Sequence, residues 1–265
     1  MNPFSNQTRS VPSNLPWGSR VSIQDIARMP VPEATSSYTP VRQDNLFNAW
    51  TVTLERYGYQ IAHEEHWVTK SQDVFISKVR VMAPWLPTGM GFTWETAMIN
   101  SYNKQVAVKN AVGTTVFVCT NGCLSAEYLM RTKHTTNVWD RLRVYIDRSV
   151  VTLEKRAASI NQLFNSFRNT DAGSDRQVHH VVCRAYNEDI IPASGIGQVL
   201  DHWKTPEHAE FKDRNVWSLY NAFTSYDRGR NLFERSTRTN RLQNILNEEF
   251  GINETTPQET ANNLV

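Results

Sequence analysis

The sequence is short of the features that identify several large classes of protein. Its 265 residues include three cysteines, too few for the disulfide framework of a small secreted domain. No apolar run approaches the ~18 residues of a membrane-spanning helix, and no secretory signal pattern opens the chain. Lysine and arginine number 28 against 26 acidic residues, so any basic surface has to be local. We therefore expect a globular protein of a reducing cytoplasm, with no membrane segment.

Motifs of common enzyme classes are also missing. The chain has no Gly-rich phosphate loop, no Ser nucleophile elbow and no His-Glu-x-x-His pair. The close acidic groups are Glu188-Asp189 and the run from His63 to His66. On a strand, alternate residues point to opposite faces, which splits the second set and favours a solvated strand edge. We predict no catalytic residues and no cofactor.

Cysteine and histidine residues nevertheless offer one metal site as an alternative, at Cys119, Cys123, His179, His180 and Cys183. Thiolates and imidazoles in this number can complete a tetrahedral zinc site. The spacing from Cys119 to Cys123 is longer than that of a common zinc knuckle, and cysteine is usually buried on a helix. We therefore interpret Cys119 and Cys183 as core residues.

Apolar residues make up 40% of the chain, enough for a substantial core. A short capped helix fits residues 22–28, and the apolar spacing over 43–57 predicts an amphipathic helix. Residues 59–69 and 72–82 resemble a hairpin, followed by a strand over 91–99. The front half is therefore predicted to be mostly sheet.

The clearest strand pattern follows this segment. Alternation over 104–111 and a β-branched run over 114–119 predict two strands joined at or near Val112-Gly113. Asn121-Gly122 favours a tight turn, because both residues tolerate positive φ at low cost. The chain then returns over 124–130, which gives an antiparallel meander.

From about residue 136 the apolar spacing becomes helical and predicts one long helix ending before Asn169. Shorter helices are predicted over 176–186, 197–202, 215–226 and 236–250. Strands followed by helices indicate an α+β fold, in which an antiparallel sheet from the N-terminal half is packed by helices from the C-terminal half.

The domain organisation follows from composition. Six prolines among the first forty residues favour a flexible N-terminal arm over 1–40. Residues 41–251 form a single α+β domain, sheet-rich over 59–131 and helical over 136–250. Residues 252–265 are predicted to be a mildly acidic disordered tail.

Several motifs carry a family resemblance. They are Asn100-Ser101-Tyr102, the Cys-x-Asn-Gly sequence at 119–122, and Trp217-x-x-Tyr-Asn-Ala, followed by a basic stretch that ends at Phe250-Gly251. Across roughly residues 40–251 the chain resembles the phage- and plasmid-encoded family of unknown function that includes the prophage YfjQ-type proteins. The resemblance implies an origin in a mobile element, and hence the host cytoplasm, but no catalytic residues.

Basic residues interleaved with aromatic ones form the remaining pattern. Cations neutralise phosphate, and aromatic rings stack on bases regardless of sequence. On the predicted sheet these residues are Lys78, Arg80, Tyr102, Lys104 and Lys109. Where the sheet leads into the long helix they are Arg131, Lys133, Trp139, Arg141 and Arg143. Near the C-terminus they are Arg228, Arg230, Arg235 and Arg238. We expect the second group to share a surface with Lys104 and Lys109.

Together these features suggest a phage single-stranded DNA-binding protein that acts in viral replication, recombination or transcription without a catalytic step. The acidic tail over 252–265 is a candidate docking segment for phage or host replication or transcription proteins. Two alternatives stay open: a host-takeover or anti-defence factor that binds a host protein, and a zinc-dependent nuclease-like enzyme. The oligomeric state is also open, a homo-oligomer included.

Overall fold

The computed structural model describes residues 14–15, 18–86, 92–116, 122–227 and 232–252, with the side chains of most of them. Its strands form one seven-stranded sheet in which each strand is antiparallel to its neighbour in sequence. The strands are β1 (Asn14–Leu15), β2 (Gly18–Val21), β3 (Gln60–Thr69), β4 (Val74–Met82), β5 (Phe92–Ser101), β6 (Val108–Val116) and β7 (Gly122–Thr132).

Two helices lie between β2 and β3, and the others follow the sheet. They are α1 (Ile23–Arg28), α2 (Gln43–Arg56), α3 (Val138–Asn169), α4 (Asp175–Asn187), α5 (Ala193–Lys204), α6 (Val216–Tyr226) and α7 (Leu232–Phe250). The predicted α+β class is confirmed. In the described part of the chain, no helix is long and apolar enough to cross a membrane.

The core lies between one face of the sheet and helices α2 and α3. Val79, Met98 and Val112 project from that face and are buried against apolar side chains such as Trp50 of α2 and Leu142 of α3. Cα partners in an antiparallel pair project to the same side of the sheet. The residues next to them along these strands therefore project from the opposite face, which carries Lys78, Arg80 and Glu95.

Local sequence explains where α2 begins and ends. The helix covers Gln43–Arg56, close to its predicted range. Gly58, with φ +83°, follows the helix, a left-handed conformation that glycine adopts without steric cost.

Residues 108–116, which include the predicted connection at Val112-Gly113, form the single strand β6, so the prediction of a connection there is wrong. Gly113 is paired on both sides, with Glu95 of β5 and with Leu124 of β7. Hydrogen bonding to both neighbours therefore keeps this glycine inside the sheet. The predicted turn residue Asn121 lies outside the described residues, and β7 begins at Gly122.

The prediction of an irregular arm over 1–40 does not hold for residues 18–40. There β2 pairs with β3, matching Arg20 to Trp67, and Ser22 forms a capping box with Asp25 at the start of α1. The short helix predicted over 22–28 is confirmed. Pro30, Pro32 and Pro40 fall between the regular elements, where they break no hydrogen-bonded ladder. Residues 1–13 of the arm and 253–265 of the tail lie outside the described residues.

Candidate nucleic-acid interface

Two of the predicted DNA-binding cations, Lys78 and Arg80, belong to an ion cluster on the sheet face opposite α2 and α3. The sheet ion cluster comprises Arg20, His63, Glu65, Lys78, Arg80 and Glu95. Lys78 Nζ lies 2.9 Å from Glu95 Oε2 and 3.2 Å from Glu65 Oε2. Burial alone would lower the pKa of Lys78, but the attraction of the two carboxylates outweighs it and the pKa is raised. The charge of Lys78 is therefore already balanced, which removes it from the predicted DNA surface.

Tyr102 is a structural residue and not an exposed stacking platform. Its side chain is buried and its ring lies 4.6 Å from that of Phe75. The Gln43 backbone N–H donates to the Tyr102 hydroxyl at 3.2 Å, and the Tyr38 hydroxyl donates to the Tyr102 carbonyl at 2.9 Å. Base stacking requires an accessible ring face, so the expectation for Tyr102 is wrong.

Within the run from His63 to His66, β2 pairs only with His66, so residues 63–65 have a strand partner on the β4 side alone. Glu64 is exposed. His66 is buried against Phe47, and its Nδ1 lies 2.9 Å from Ser77 Oγ. Burial lowers the pKa of His66, which favours the neutral imidazole. His63 projects from the other face, as the alternation predicts.

Three further predicted cations lie near the end of the sheet from which α3 departs. Lys104, with φ +65°, is exposed, and its Nζ lies 4.6 Å from the ring centre of Tyr38, a cation–π distance. Lys109 and Arg131 are Cα partners on β6 and β7.

The chain then enters an open groove along the first turns of α3. The α3 groove encloses about 530 Å³ and is lined by Thr135, Asn137, Asp140, Arg141, Val144, Tyr145 and Arg148. Arg141 Nη2 donates to Thr135 Oγ1 and, at 3.3 Å, to the Lys133 carbonyl. These bonds tie the β7–α3 loop to the helix and fix the direction of the Arg141 side chain.

Arg141 and Arg143, predicted to share one surface, lie on different flanks of α3. Positions two apart are about 160° from each other around a helix axis. Arg141 lines the α3 groove, whereas Arg143 is exposed outside it. The groove therefore includes only one of these two arginines.

Two other residues predicted to bind DNA where the sheet leads into α3 differ in their exposure. Lys133 is exposed beside the groove. Trp139 is partly buried and packs against the core, which leaves less of its ring for stacking than the prediction requires.

The C-terminal arginines are placed only in part. Arg228 and Arg230 lie outside the described residues, and so does the side chain of Arg235. Arg238 Nη1 lies 3.8 Å from Asp227 Oδ1, so its charge is shared with a carboxylate.

Tyr145 and Arg148 are groove residues that sequence reasoning missed. With Arg141 they follow the spacing i, i+4, i+7 of one helix face. That spacing is visible in the sequence, but the apolar pattern of α3 predicts only the buried face of the helix.

The candidate zinc ligands do not form a site in the described part of the chain. His179, His180 and Cys183 are exposed on α4, and no group of three potential ligands is found among the described residues. The interpretation of Cys183 as a core residue is wrong, because its position on α4 faces away from the buried Val178, Val181 and Val182. Cys119 and the side chain of Cys123 lie outside the described residues.

No family model, curated protein or solved structure matches this chain.

Proposed function

We propose that the protein binds single-stranded DNA in the α3 groove and along the adjoining end of the sheet. The observation that carries the proposal is a set of six junction cations: Lys104, Arg131, Lys133, Arg141, Arg143 and Arg148. In the described part of the chain none of the six makes an ion pair with a carboxylate. They contrast with Lys78, whose charge is balanced by Glu65 and Glu95 within the sheet.

The groove has the geometry that a single strand needs. Along α3, Arg141 and Tyr145 are about 6 Å apart and Tyr145 and Arg148 about 4.5 Å apart, at 1.5 Å rise per residue. Tyr145, like Trp139, is partly buried against the core, but unlike Trp139 it also lines the groove. A ring between two guanidinium groups allows a base to contact the aromatic surface while adjacent phosphates meet the cations. Val144, 48% exposed, adds apolar surface to the same groove.

The ligand path continues from the groove towards the sheet. Arg141 bonds to the Lys133 carbonyl, which places Lys133 next to the groove. Arg131 lies on β7, two residues before Lys133. The Lys104 ammonium lies over the Tyr38 ring, and the Tyr38 ring centre is 5.4 Å from that of His134. We infer a track of positive charge from Lys133, just after β7, to Arg148 in the third turn of α3.

Single strands are favoured over duplex because stacking requires base faces that a duplex hides. The role we propose is viral replication, recombination or transcription, each of which exposes single-stranded DNA. The protein itself carries out no chemical step in this proposal.

The test is fluorescence anisotropy with labelled single-stranded and duplex DNA, and with RNA, at several salt concentrations. Arg141→Gln with Arg148→Gln should weaken single-strand binding by about 30-fold, at about 1 kcal/mol for each lost contact. The slope of log K against log salt should fall by about 0.7 for each lost phosphate contact.

Arg143→Gln is the matched control, because it removes the same charge from the same helix but on the other flank. Equal losses in the control and in a single groove variant would show that only overall charge matters. A salt-independent affinity, or equal affinity for duplex, would contradict the proposed mode of binding.

A protein partner is the second candidate function, favoured by apolar side chains left exposed on neighbouring helices. Val52 of α2 and Val151 of α3 are 54% and 52% exposed, and Arg56 of α2 contacts Asp147 of α3. Val52→Ser with Val151→Ser should abolish capture of a host protein and leave DNA binding unchanged. Loss of DNA binding in this variant would instead extend the nucleic-acid surface to these helices.

A further inference from the structure

The sheet ion cluster contains more positive than negative charge. Arg20, Lys78 and Arg80 supply three cations against the carboxylates of Glu65 and Glu95. Lys78 bridges both carboxylates, at 3.2 Å and 2.9 Å. The strongest acceptors in the cluster are thus engaged by the lysine, and the two arginines make only long contacts.

Both guanidinium groups are underused as hydrogen-bond donors. Each guanidinium presents a fork of five N–H donors. Arg80 makes its one ion pair through Nη2, 3.4 Å from Glu95 Oε1. Arg20 also uses Nη2, 3.4 Å from Glu65 Oε1 and 3.5 Å from His63 Nε2. Arg80 Nε is buried without a hydrogen-bond partner among the described residues, an arrangement that costs free energy unless an acceptor is supplied.

The strand register places these groups together. His63 is the Cα partner of Arg80, and Arg80 is the partner of Glu95 on the next strand. The Arg20 side chain reaches His63 from β2. Arg20, His63 and Arg80 thus adjoin one another across three neighbouring strands, with donors that can converge on one ligand.

The site is open to solvent on one side. The His63 and Arg20 side chains are 39% and 33% exposed, whereas Glu95 is 2% exposed. A ligand can therefore approach past His63 and Arg20, with the Lys78–Glu95 pair beneath it.

We propose that Arg20, His63 and Arg80 form a binding site for a phosphate group, in addition to the α3 groove. A planar guanidinium fork matches the oxygen geometry of a phosphate and binds it bidentately. The surplus cation offsets one unit of the incoming negative charge, and the phosphate oxygens supply acceptors for the unused donors of Arg80 and Arg20. The phosphate is either a free or small-molecule phosphate or the terminal phosphate of a nucleic acid.

Isothermal titration calorimetry with inorganic phosphate, at constant ionic strength and with chloride as the reference anion, tests the site. We expect one phosphate per full-length chain. Arg80→Gln and Arg20→Gln should each weaken binding at least tenfold. Arg80→Lys should also weaken it, because lysine keeps the charge but loses the fork. Arg28→Gln is the matched control: Arg28 is 81% exposed and contacts only Asp25, at 3.8 Å, so phosphate binding should be unchanged.

A second arm separates the two sources of phosphate. A 5′-phosphorylated oligonucleotide and the same oligonucleotide with a 5′-hydroxyl are compared in the Arg141→Gln, Arg148→Gln background, where the α3 groove is disabled. A preference for the phosphorylated end that Arg80→Gln abolishes identifies the nucleic-acid terminus as the ligand. Inorganic phosphate binding without that preference identifies a small phosphate as the ligand.

The proposal is overturned if the wild-type chain shows no saturable phosphate binding, or if Arg80→Gln and Arg20→Gln bind phosphate as well as Arg28→Gln does. If Arg80→Gln loses its cooperative thermal transition, phosphate binding by Arg20→Gln becomes the test. Arg20 is the more exposed of the two arginines, at 33% against 27%, and its substitution should disturb the fold less. Failure of the α3 groove to bind DNA leaves this site unaffected, since the phosphate titration involves none of the groove residues.

Discussion

Replacing Lys78 with methionine removes the cation that bridges the two carboxylates of the sheet ion cluster while keeping a long, flexible side chain. Lys78 Nζ is 2.9 Å from Glu95, and Glu95 is 2% exposed. In the variant the Arg80 contact at 3.4 Å is the only ion pair left to Glu95. Breaking a buried pair by removing one partner typically costs 3–5 kcal/mol, and the part-exposed Lys78 places our expectation at the lower end, about 3 kcal/mol.

Urea unfolding followed by circular dichroism measures this loss. We expect the midpoint to fall with little change in the slope of the free energy against urea concentration, because the surface exposed on unfolding is nearly the same. In a thermal melt, about 3 kcal/mol corresponds to a decrease of about 6–12 °C for a chain of this size. Lys155→Met, at an exposed position on α3, is the control and should change stability by less than about 0.5 kcal/mol.

The double variant Lys78→Met with Glu95→Gln separates the pair from its surroundings. Removing both charges eliminates the most deeply buried carboxylate and leaves Glu65 paired with Arg20, so the double variant should recover part of the stability lost in Lys78→Met alone. Two results would refute the view that Lys78 is committed to this cluster. One is a loss in free energy of unfolding below about 1 kcal/mol for Lys78→Met. The other is a loss in the double variant that exceeds the sum of the losses in the two single variants.

The same cluster predicts a pH dependence with a defined sign. Burial acts to raise the pKa of Glu65, but Lys78 and Arg20 outweigh it and hold the pKa below the ordinary value of 4.5 for this carboxyl. A carboxyl whose pKa is lower when folded contributes stability that is present above about pH 4.5 and lost as the pH falls through the folded value. Stability should therefore decline with acidification in the wild type, and by less in Lys78→Met, as urea unfolding between pH 3 and pH 6 would show.

Three further outcomes follow from single positions. Asp140→Asn removes the carboxylate from the α3 groove lining and should tighten single-strand binding in the anisotropy assay, while unchanged or weaker binding would count against the groove. Gly195→Ala should destabilise the fold by about 1–3 kcal/mol in a thermal melt, because the new Cβ would lie 2.7 Å from the Tyr226 ring. Gly197→Ala is the control and should be neutral or stabilising, because a Cβ there has no atom within 4 Å. Cys183 is exposed, so mass spectrometry of the native protein should find its peptide alkylated, and protection would contradict its placement.

Much of the fold is visible in the sequence because it depends on local periodicity. Helix α3 was predictable from the recurrence of buried residues such as Leu142, Ile146 and Val150, since a packed helix must present one apolar face. Gly113 shows where local information fails: a Val-Gly step favours a break, yet pairing with β5 and β7 on both sides keeps it in a strand.

The candidate site was less predictable because the state of a charge depends on contacts between distant residues. Lys78 is neutralised by Glu65 and Glu95, which are 13 and 17 positions away and reach it only through the register of β3, β4 and β5. Tyr102 is hydrogen-bonded to Gln43 of α2 and to Tyr38, and Tyr38 belongs to the region whose prolines predicted an arm. No local pattern contains either contact.

The separation of Arg141 from Arg143 is a different case, because helix geometry alone implies it once the helix is accepted. Applying that geometry changes which substitutions test the proposed function. The sequence places Lys133, Arg141 and Arg143 in one predicted group. In the structure Arg141 and Arg148 line one groove, and Arg143 becomes the control. Arg141→Gln with Arg148→Gln and Arg143→Gln with Arg28→Gln each remove two positive charges. If single-strand binding depends on the groove and not on total charge, the first double variant must weaken binding more than the second. Equal losses would mean that the arginines act through the overall field of the protein, and the positions within the α3 groove would then carry no special meaning.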